Sequence, residues 1–135
     1  MEQLIQLFRA LSEEARLRIV MLLTNGELCV CDLMAILEEP QSKISRHLAY
    51  LTYSGLTKGK RVGVWMHYSL KDPLDEVYKA QIELLKKQLS HFPRLRSDKD
   101  RLLELKKEGI CKAVLKLKNG RWSKVRRTGK KTATI

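Results

Sequence analysis

Long apolar runs and targeting signals are absent from this chain of 135 residues. No stretch reaches the roughly 18 consecutive apolar residues that a membrane-spanning helix needs. The first residues, Met1, Glu2 and Gln3, do not begin the basic and then apolar segment of a secretory signal peptide. We therefore expect a cytoplasmic protein. The length allows one domain with a tail, and a hydrophobic content of 44% is enough to build a core.

Cysteine is scarce, with three in the chain. Cys29 and Cys31 are separated by one residue, which is too close for a typical structural disulfide, and Cys111 makes the count odd. This pattern indicates a cytosolic chain whose thiols act as ligands or sensors. No nucleophile, base and acid occur together, and the Cys-x-Cys pair has no general base nearby. We therefore do not expect an enzyme.

Acidic residues are few in the last third of the chain, and the net charge of +12 is concentrated there. Residues 1–90 carry 12 Lys and Arg against 11 Asp and Glu, a net charge of +1. Residues 91–135 carry 15 against 4, a net charge of +11. Such a tail favours polyanions such as DNA through counterion release. The alternative is a solubilising or disordered extension.

Apolar residues at helical spacing predict a mostly helical domain over residues 1–92. Ser12 is the expected N-cap of the second helix, Pro40 ends the third, and Pro73 opens the last helix of the domain. The predicted helices cover residues 2–11, about 13–24, 30–38, 41–53 and 73–90, with a basic β-hairpin around residues 61–63. Residues 93–135 form a basic C-terminal extension that is partly helical, over 98–108, or disordered.

The helix at 41–53 has the character of a DNA-recognition helix. Its buried stripe is Ile44, Leu48 and Leu51, and its opposite face is polar near the N-terminus, as a helix in the major groove requires. For His47 two roles stay open, a phosphate contact or packing inside the motif. The residues predicted to contact DNA are Gln41, Ser42, Lys43, Ser45, Arg46 and His47 on the helix, and Lys60 and Arg61 on the hairpin.

Three segments of the domain resemble the ArsR/SmtB family of metalloregulatory repressors, in particular its arsenical-resistance branch. They are residues 10–19 (Ala-Leu-Ser-Glu-Glu-Ala-Arg-Leu-Arg-Ile), residues 27–33 (Glu-Leu-Cys-Val-Cys-Asp-Leu), and residues 43–48 (Lys-Ile-Ser-Arg-His-Leu) followed by Ser-Gly-Leu at 54–56. The combination of Cys-Val-Cys-Asp-Leu with the recognition helix is specific, whereas a lone Cys-x-Cys would be weak. The resemblance covers about two thirds of the chain.

The resemblance implies a winged helix–turn–helix fold and a homodimeric transcriptional repressor. Such a repressor binds an inverted-repeat DNA operator and dissociates when As(III) or Sb(III) binds; no other cofactor is required. It also implies that Cys29 and Cys31 are the inducer ligands. Members of this branch often carry a third cysteine three residues after the second, where this chain has Met34. Cys111 is therefore a candidate third ligand, and the alternative is an incidental thiol of the tail.

The spacing of Cys29 and Cys31 suggests how an ion would act. Soft ions prefer thiolates, and a helix N-terminus favours the thiolate form. On a regular helix, residues i and i+2 are about 200° apart around the axis. Chelation by both sulfurs is therefore expected to unwind or tilt the start of the third helix, and the distortion would pass to the recognition helix.

Two other functions stay open. One is a thiol-redox or reactive-sulfur-sensing repressor on the same fold, with Cys29 and Cys31, or Cys31 and Cys111, as the switching pair. The other is a constitutive nucleic-acid-binding protein that relies on its basic tail.

Overall fold

Six α-helices and one small antiparallel sheet make up residues 1–108, the part of the chain that the computed structural model describes. A 3₁₀ turn, Leu89–His91, separates the last two helices. The elements in chain order are α1 (Glu2–Leu11), α2 (Glu14–Leu23), β1 (Leu28–Cys29), α3 (Val30–Leu37), α4 (Gln41–Tyr53), β2 (Thr57–Val62), β3 (Trp65–Leu70), α5 (Glu76–Lys87) and α6 (Pro93–Glu108). The predicted fold class, mostly helical with a β-hairpin wing, is confirmed.

The bounds of α1 and α4 agree with the predicted ranges, but the predicted N-cap of α2 and the predicted start of α5 were wrong. Glu13, not Ser12, caps α2, because its carboxylate accepts hydrogen bonds from the amides of Ala15 and Arg16. The Ser12 hydroxyl instead donates to the carbonyl of Arg9 at the end of α1. The helix predicted to open at residue 73 begins at Glu76, since Asp75 accepts from the amide of Val77.

The core is centred on α3, in which every residue from Val30 to Leu37 is buried. A helix that is apolar on all sides is stable only when other elements surround it. Here α4, α6 and the strand β3 pack against it. Ile44, Leu48 and Leu51 of α4 are fully buried, as their spacing predicts. The recognition helix candidate is therefore fixed to the core along one stripe, and its other face stays outside.

The sheet contains a strand that the hydrophobic pattern did not predict. The two-residue strand β1 pairs antiparallel with β3, Leu28 opposite Tyr68 and Cys29 opposite His67. Strand β3 is central, and β2 lies on its other side. The wing begins immediately after α4, and the hydroxyls of Thr52 and Thr57 hydrogen bond at 2.9 Å across the junction.

The last described helix, α6, packs onto the domain and extends the core beyond residue 92. Leu95 and Leu102 are buried, and Arg18 of α2 forms a two-pronged ion pair with Asp98, each N–O distance being 2.9 Å. The hydrogen bond with Asp98 raises the pKa of the Arg18 guanidinium above its ordinary value, against the opposing effect of burial. Within residues 1–108, no helix has the length and apolar character needed to cross a membrane.

Candidate functional site: a buried thiol pair beside a DNA-reading surface

The side chains of Cys29 and Cys31 converge at the start of α3. Each cysteine is 1% exposed, and the two Sγ atoms lie in disulfide-bonding contact. Cys29 is the N-cap of α3 and has an extended backbone, with φ −79° and ψ 151°, whereas Cys31 is within the first helical turn. The amide of Cys31 donates to the Sγ of Cys29 at 3.3 Å. Both sulfurs therefore point to the same place.

This geometry corrects the expected mechanism of helix distortion. The expectation treated Cys29 and Cys31 as two positions of one regular helix, about 200° apart. Because Cys29 precedes the helix, its side chain is free of that periodicity. The two sulfurs meet while α3 stays regular, so unwinding of α3 is not required for both to bind one ion.

Asp32 belongs to the thiol site although it was not among the predicted ligands. Its carboxylate accepts a hydrogen bond from the amide of Cys29 at 3.0 Å, which completes a capping box with Cys29 as the cap. One ligand atom from each of Cys29, Cys31 and Asp32 lies within 4.8 Å of the other two. The usual sequence signal of a capping box is Ser or Thr followed three residues later by Glu or Gln, and Cys29 with Asp32 does not match it.

Met34 and Cys111 bear on the third ligand position. Met34, where the family branch often has cysteine, is fully buried in α3. Cys111 lies outside the described residues, so its candidacy as a third ligand remains a prediction. Within residues 1–108, the ligand atoms that lie together at this site are the two sulfurs of the pair and one carboxylate oxygen of Asp32.

The residues predicted to contact DNA lie on α4 and at the far end of β2. On α4, all six except His47 are exposed, and His47 is half-buried. Burial lowers the pKa of His47, and the cations Arg16, Lys43 and Arg46 lower it further, while Glu13 acts in the opposite direction. Neutral imidazole is thus the favoured form on this surface. The exposed members of the predicted set are Gln41, Ser42, Lys43, Ser45, Arg46, Lys60 and Arg61.

Both lysines predicted to contact DNA are paired with carboxylates. Lys43 Nζ lies 3.4 Å from Glu39 on the preceding turn, and Lys60 Nζ lies 3.4 Å from Glu27, just before β1. At the tip of the wing, Gly63 has φ +67°, the left-handed backbone that a two-residue hairpin needs at its first turn position. The tip therefore projects Arg61 into solvent beside a tight turn.

Arg16 supports the recognition helix candidate, a role that sequence patterns did not indicate. Its guanidinium lies 4.1 Å from the centre of the Tyr50 ring on α4. The same group donates to the carbonyls of Ala10 and Arg9 at the end of α1. One side chain thus joins the end of α1 to the middle of α4, a contact between residues distant in sequence.

Comparison with known proteins gives a consistent result. The family model described as bacterial regulatory protein, arsR family, matches residues 13–58. The chain is 57% identical over 67 residues to the arsenical resistance operon repressor of Escherichia coli (strain K12), which covers 49% of this chain and 57% of that protein. It is 36% identical over 85 residues to an uncharacterised HTH-type transcriptional regulator of Methanocaldococcus jannaschii. That match covers 62% of this chain and 96% of the regulator.

Among solved structures, HlyU from Vibrio cholerae N16961 matches with a TM-score of 0.58 at 35% identity, over 64% of this chain and 90% of that chain. The chain spans about three fifths of the length of the arsenic-resistance regulators that it matches. The relatives named here are regulators, in agreement with the prediction that the chain is not an enzyme. The chain belongs to the ArsR family of bacterial regulatory proteins.

Proposed function

We propose that this protein is a transcriptional repressor that binds an operator as a dimer and dissociates when Cys29 and Cys31 chelate As(III) or Sb(III). The observation that carries the proposal is the convergence of two buried sulfurs at the start of α3, the helix that packs against α4. The similarity to a protein named as an arsenical resistance operon repressor supports the same ion class.

The chemistry of the thiol pair suits a thiophilic trivalent ion. Arsenous acid, As(OH)₃, reacts with two thiols to form two As–S bonds, and its two displaced hydroxyls leave as water with the thiol protons. Soft thiolate sulfur is the donor that such ions prefer. The third position on arsenic keeps its hydroxyl or takes another donor, for which Cys111 is the proposed residue.

The DNA-binding part of the proposal is supported by the exposed polar face of α4. Arginine at the position of Arg46 suits guanine, and glutamine at that of Gln41 suits adenine, when a helix enters the major groove. Lys43, Lys60 and Arg61 suit phosphates, which position a protein without specifying the sequence.

The test is a titration of arsenite into a complex of the protein with labelled DNA from upstream of its gene, under strictly reducing conditions. We expect release for the wild type, little release for the Cys29→Ser, Cys31→Ser variant, and reduced sensitivity for Cys111→Ser if that thiol is a ligand. A double-serine variant that responds like the wild type would overturn the proposal. Binding of the variants to DNA without arsenite is the control for folding.

Exposed apolar side chains support the dimer. Ile5 and Phe8 of α1 and Val77 and Leu84 of α5 are each 43% to 54% exposed, and α1 and α5 pack together. Tyr78 and Ile82 of α5 are buried within their own domain, so the apolar residues of α5 are divided between the core and the surface. An apolar surface shared by two adjacent helices suits a two-fold partner.

We expect Phe8→Glu to convert the dimer to a monomer in analytical ultracentrifugation and to weaken operator binding, because the charge cannot be buried in an apolar interface. Leu103→Glu is the matched control, since Leu103 is equally exposed but lies on α6. An unchanged sedimentation coefficient for Phe8→Glu would assign the interface elsewhere.

A thiol-redox repressor is the second candidate, favoured by the direct contact of the two sulfurs. It predicts that an oxidant releases DNA and that arsenite under reducing conditions does not. The titration above separates the two functions.

A further inference from the structure

Glu27 connects the thiol pair to the wing. It lies two residues before Cys29, and its carboxylate contacts two wing side chains. One oxygen is 3.4 Å from Lys60 Nζ and the other is 3.2 Å from His67 Nδ1. Lys60 of β2 and His67 of β3 are directly opposite each other in the sheet, so Glu27 bridges a cross-strand pair.

The backbone makes a second connection between the same parts. Cys29 is paired with His67 through β1 and β3. The order of the sheet is β1, β3, β2, so the chain of contacts runs from the thiol site through His67 to Lys60. A change at Cys29 therefore acts on a strand that belongs to the wing itself.

We propose that Glu27 is a positioning residue that couples the thiol pair to the wing. The structure shows the two sulfurs in contact, and their separation in the open pair changes the position of Cys29 and of Glu27, two residues before it. The ion pair of Glu27 with Lys60 then changes, and the positive charge that the wing presents to a DNA phosphate changes with it. This inference rests on the proposed function and adds a route to DNA that does not pass through α3 and α4.

The expected size of the effect follows from exposure. The side chains of Glu27 and Lys60 are 39% and 65% exposed. Ion pairs this exposed are weak, so a DNA phosphate can compete with the Glu27 carboxylate for Lys60. Removal of the Glu27 charge is expected to change DNA affinity by about two- to fivefold. One released cation adds up to about one unit to the salt dependence.

The first measurement uses the protein without inducer. Glu27→Gln should bind DNA about two- to fivefold more tightly at low salt, with a steeper dependence on salt concentration. Glu39→Gln is the matched control, because Glu39 lies 3.4 Å from Lys43 in a pair of similar exposure but has no strand contact with Cys29. It should strengthen DNA binding to a similar degree.

The second measurement compares DNA affinity with the thiol pair open and closed, in a Cys111→Ser background. The pair is closed either with arsenite or with diamide, which takes two electrons and two protons from the thiols as the S–S bond forms. In Glu27→Gln the ratio of the two affinities should shrink about two- to fivefold. In Glu39→Gln it should equal the wild-type ratio, and Glu27→Asp should fall between.

The wing is observed directly by the fluorescence of Trp65, a half-buried residue of β3, after Trp122→Phe removes the second tryptophan. Closing the pair should change Trp65 emission in the wild type and change it less in Glu27→Gln. A Glu27→Gln protein with the wild-type ratio and emission change overturns the inference. A wild-type protein whose DNA affinity is the same with the thiol pair open and closed also overturns it. If arsenite fails to close the pair, the proposed function fails and the diamide measurement decides the role of Glu27.

Discussion

At the scale of single residues, the position of Cys29 decides the character of the thiol site. Its extended backbone ends the strand β1 and caps α3 at the same time. A helical residue in its place would direct its sulfur away from that of Cys31. The capping box with Asp32 holds this backbone, because the Asp32 carboxylate accepts the amide of Cys29.

The Arg18–Asp98 pair gives a residue-scale prediction for stability. Arg18→Met should lower the free energy of unfolding by about 3–5 kcal/mol, because it leaves the buried Asp98 without its cation. Urea denaturation monitored by circular dichroism measures this loss. Arg94→Met, which removes an exposed pair with Glu14 at 3.9 Å, is the control and should have little effect. Equal losses in the two variants would contradict this account.

His47 gives a residue-scale prediction for pH dependence. Burial lowers its pKa in the folded state below the ordinary value of 6.5. As the pH falls, the unfolded chain therefore binds a proton at His47 before the folded chain does. The contribution of neutral His47 to the free energy of unfolding is fully present above pH 6.5 and is lost as the pH falls through the folded-state pKa. Urea midpoints at pH 7.5 and 5.5 should differ less in His47→Gln than in the wild type. The exposed His91→Gln should keep the wild-type difference.

At the scale of elements, α3 is held at both ends by contacts from distant parts of the chain. Its N-terminus continues from β1, which pairs with the wing. At its C-terminus, Arg101 of α6 donates to the carbonyl of Ile36 at 2.6 Å and to Glu38 at 2.8 Å. The helix that carries the thiol site is thus fixed between the wing and α6.

Arg101→Met should lower the free energy of unfolding by about 1.5–3 kcal/mol, because a carbonyl at the end of α3 loses its charged donor. Urea denaturation measures this, with Arg96→Met, an exposed residue of the same helix, as the control. If α3 is loosened, arsenite affinity should also change, which isothermal titration calorimetry measures. A stability equal to that of the control would exclude Arg101 as a cap of α3.

At the scale of the whole molecule, the core of the described residues extends past residue 92, the predicted domain boundary. Residues 93–108 carry six Lys and Arg against four Asp and Glu, and α6 packs on α2 and α3. Residues 109–135 carry nine Lys and Arg and no acidic residue. Most of the net charge, +9 of +12, therefore follows α6.

Two truncations separate these parts. A chain ending at residue 92 should be less stable than one ending at residue 108 by at least about 3 kcal/mol, because it loses the buried Leu95 and Leu102 and the Asp98 partner of Arg18.

The full chain should show a steeper salt dependence of DNA binding than the chain ending at 108, because nine further cations release counterions. Equal slopes would remove the tail from the DNA-binding surface.

Local sequence patterns predicted the helices, the wing and the exposed polar face of α4. These depend on local patterns, since the stripe of Ile44, Leu48 and Leu51 has helical spacing and Pro40 and Gly55 bound the helix. The proposed ion-binding role of Cys29 and Cys31 also rests on a short local segment. Local periodicity carries this information because each turn of helix repeats it.

The connections of the thiol pair to the rest of the molecule depend on contacts that the sequence patterns did not predict. A two-residue strand leaves no periodic signal, so β1 and its pairing with His67 depend on contacts between residues 38 positions apart. The Glu27 bridge to Lys60, the stacking of Arg16 on Tyr50 and the docking of α6 are likewise contacts between distant segments. Their energies arise when the folded chain brings those side chains together, which no local pattern records.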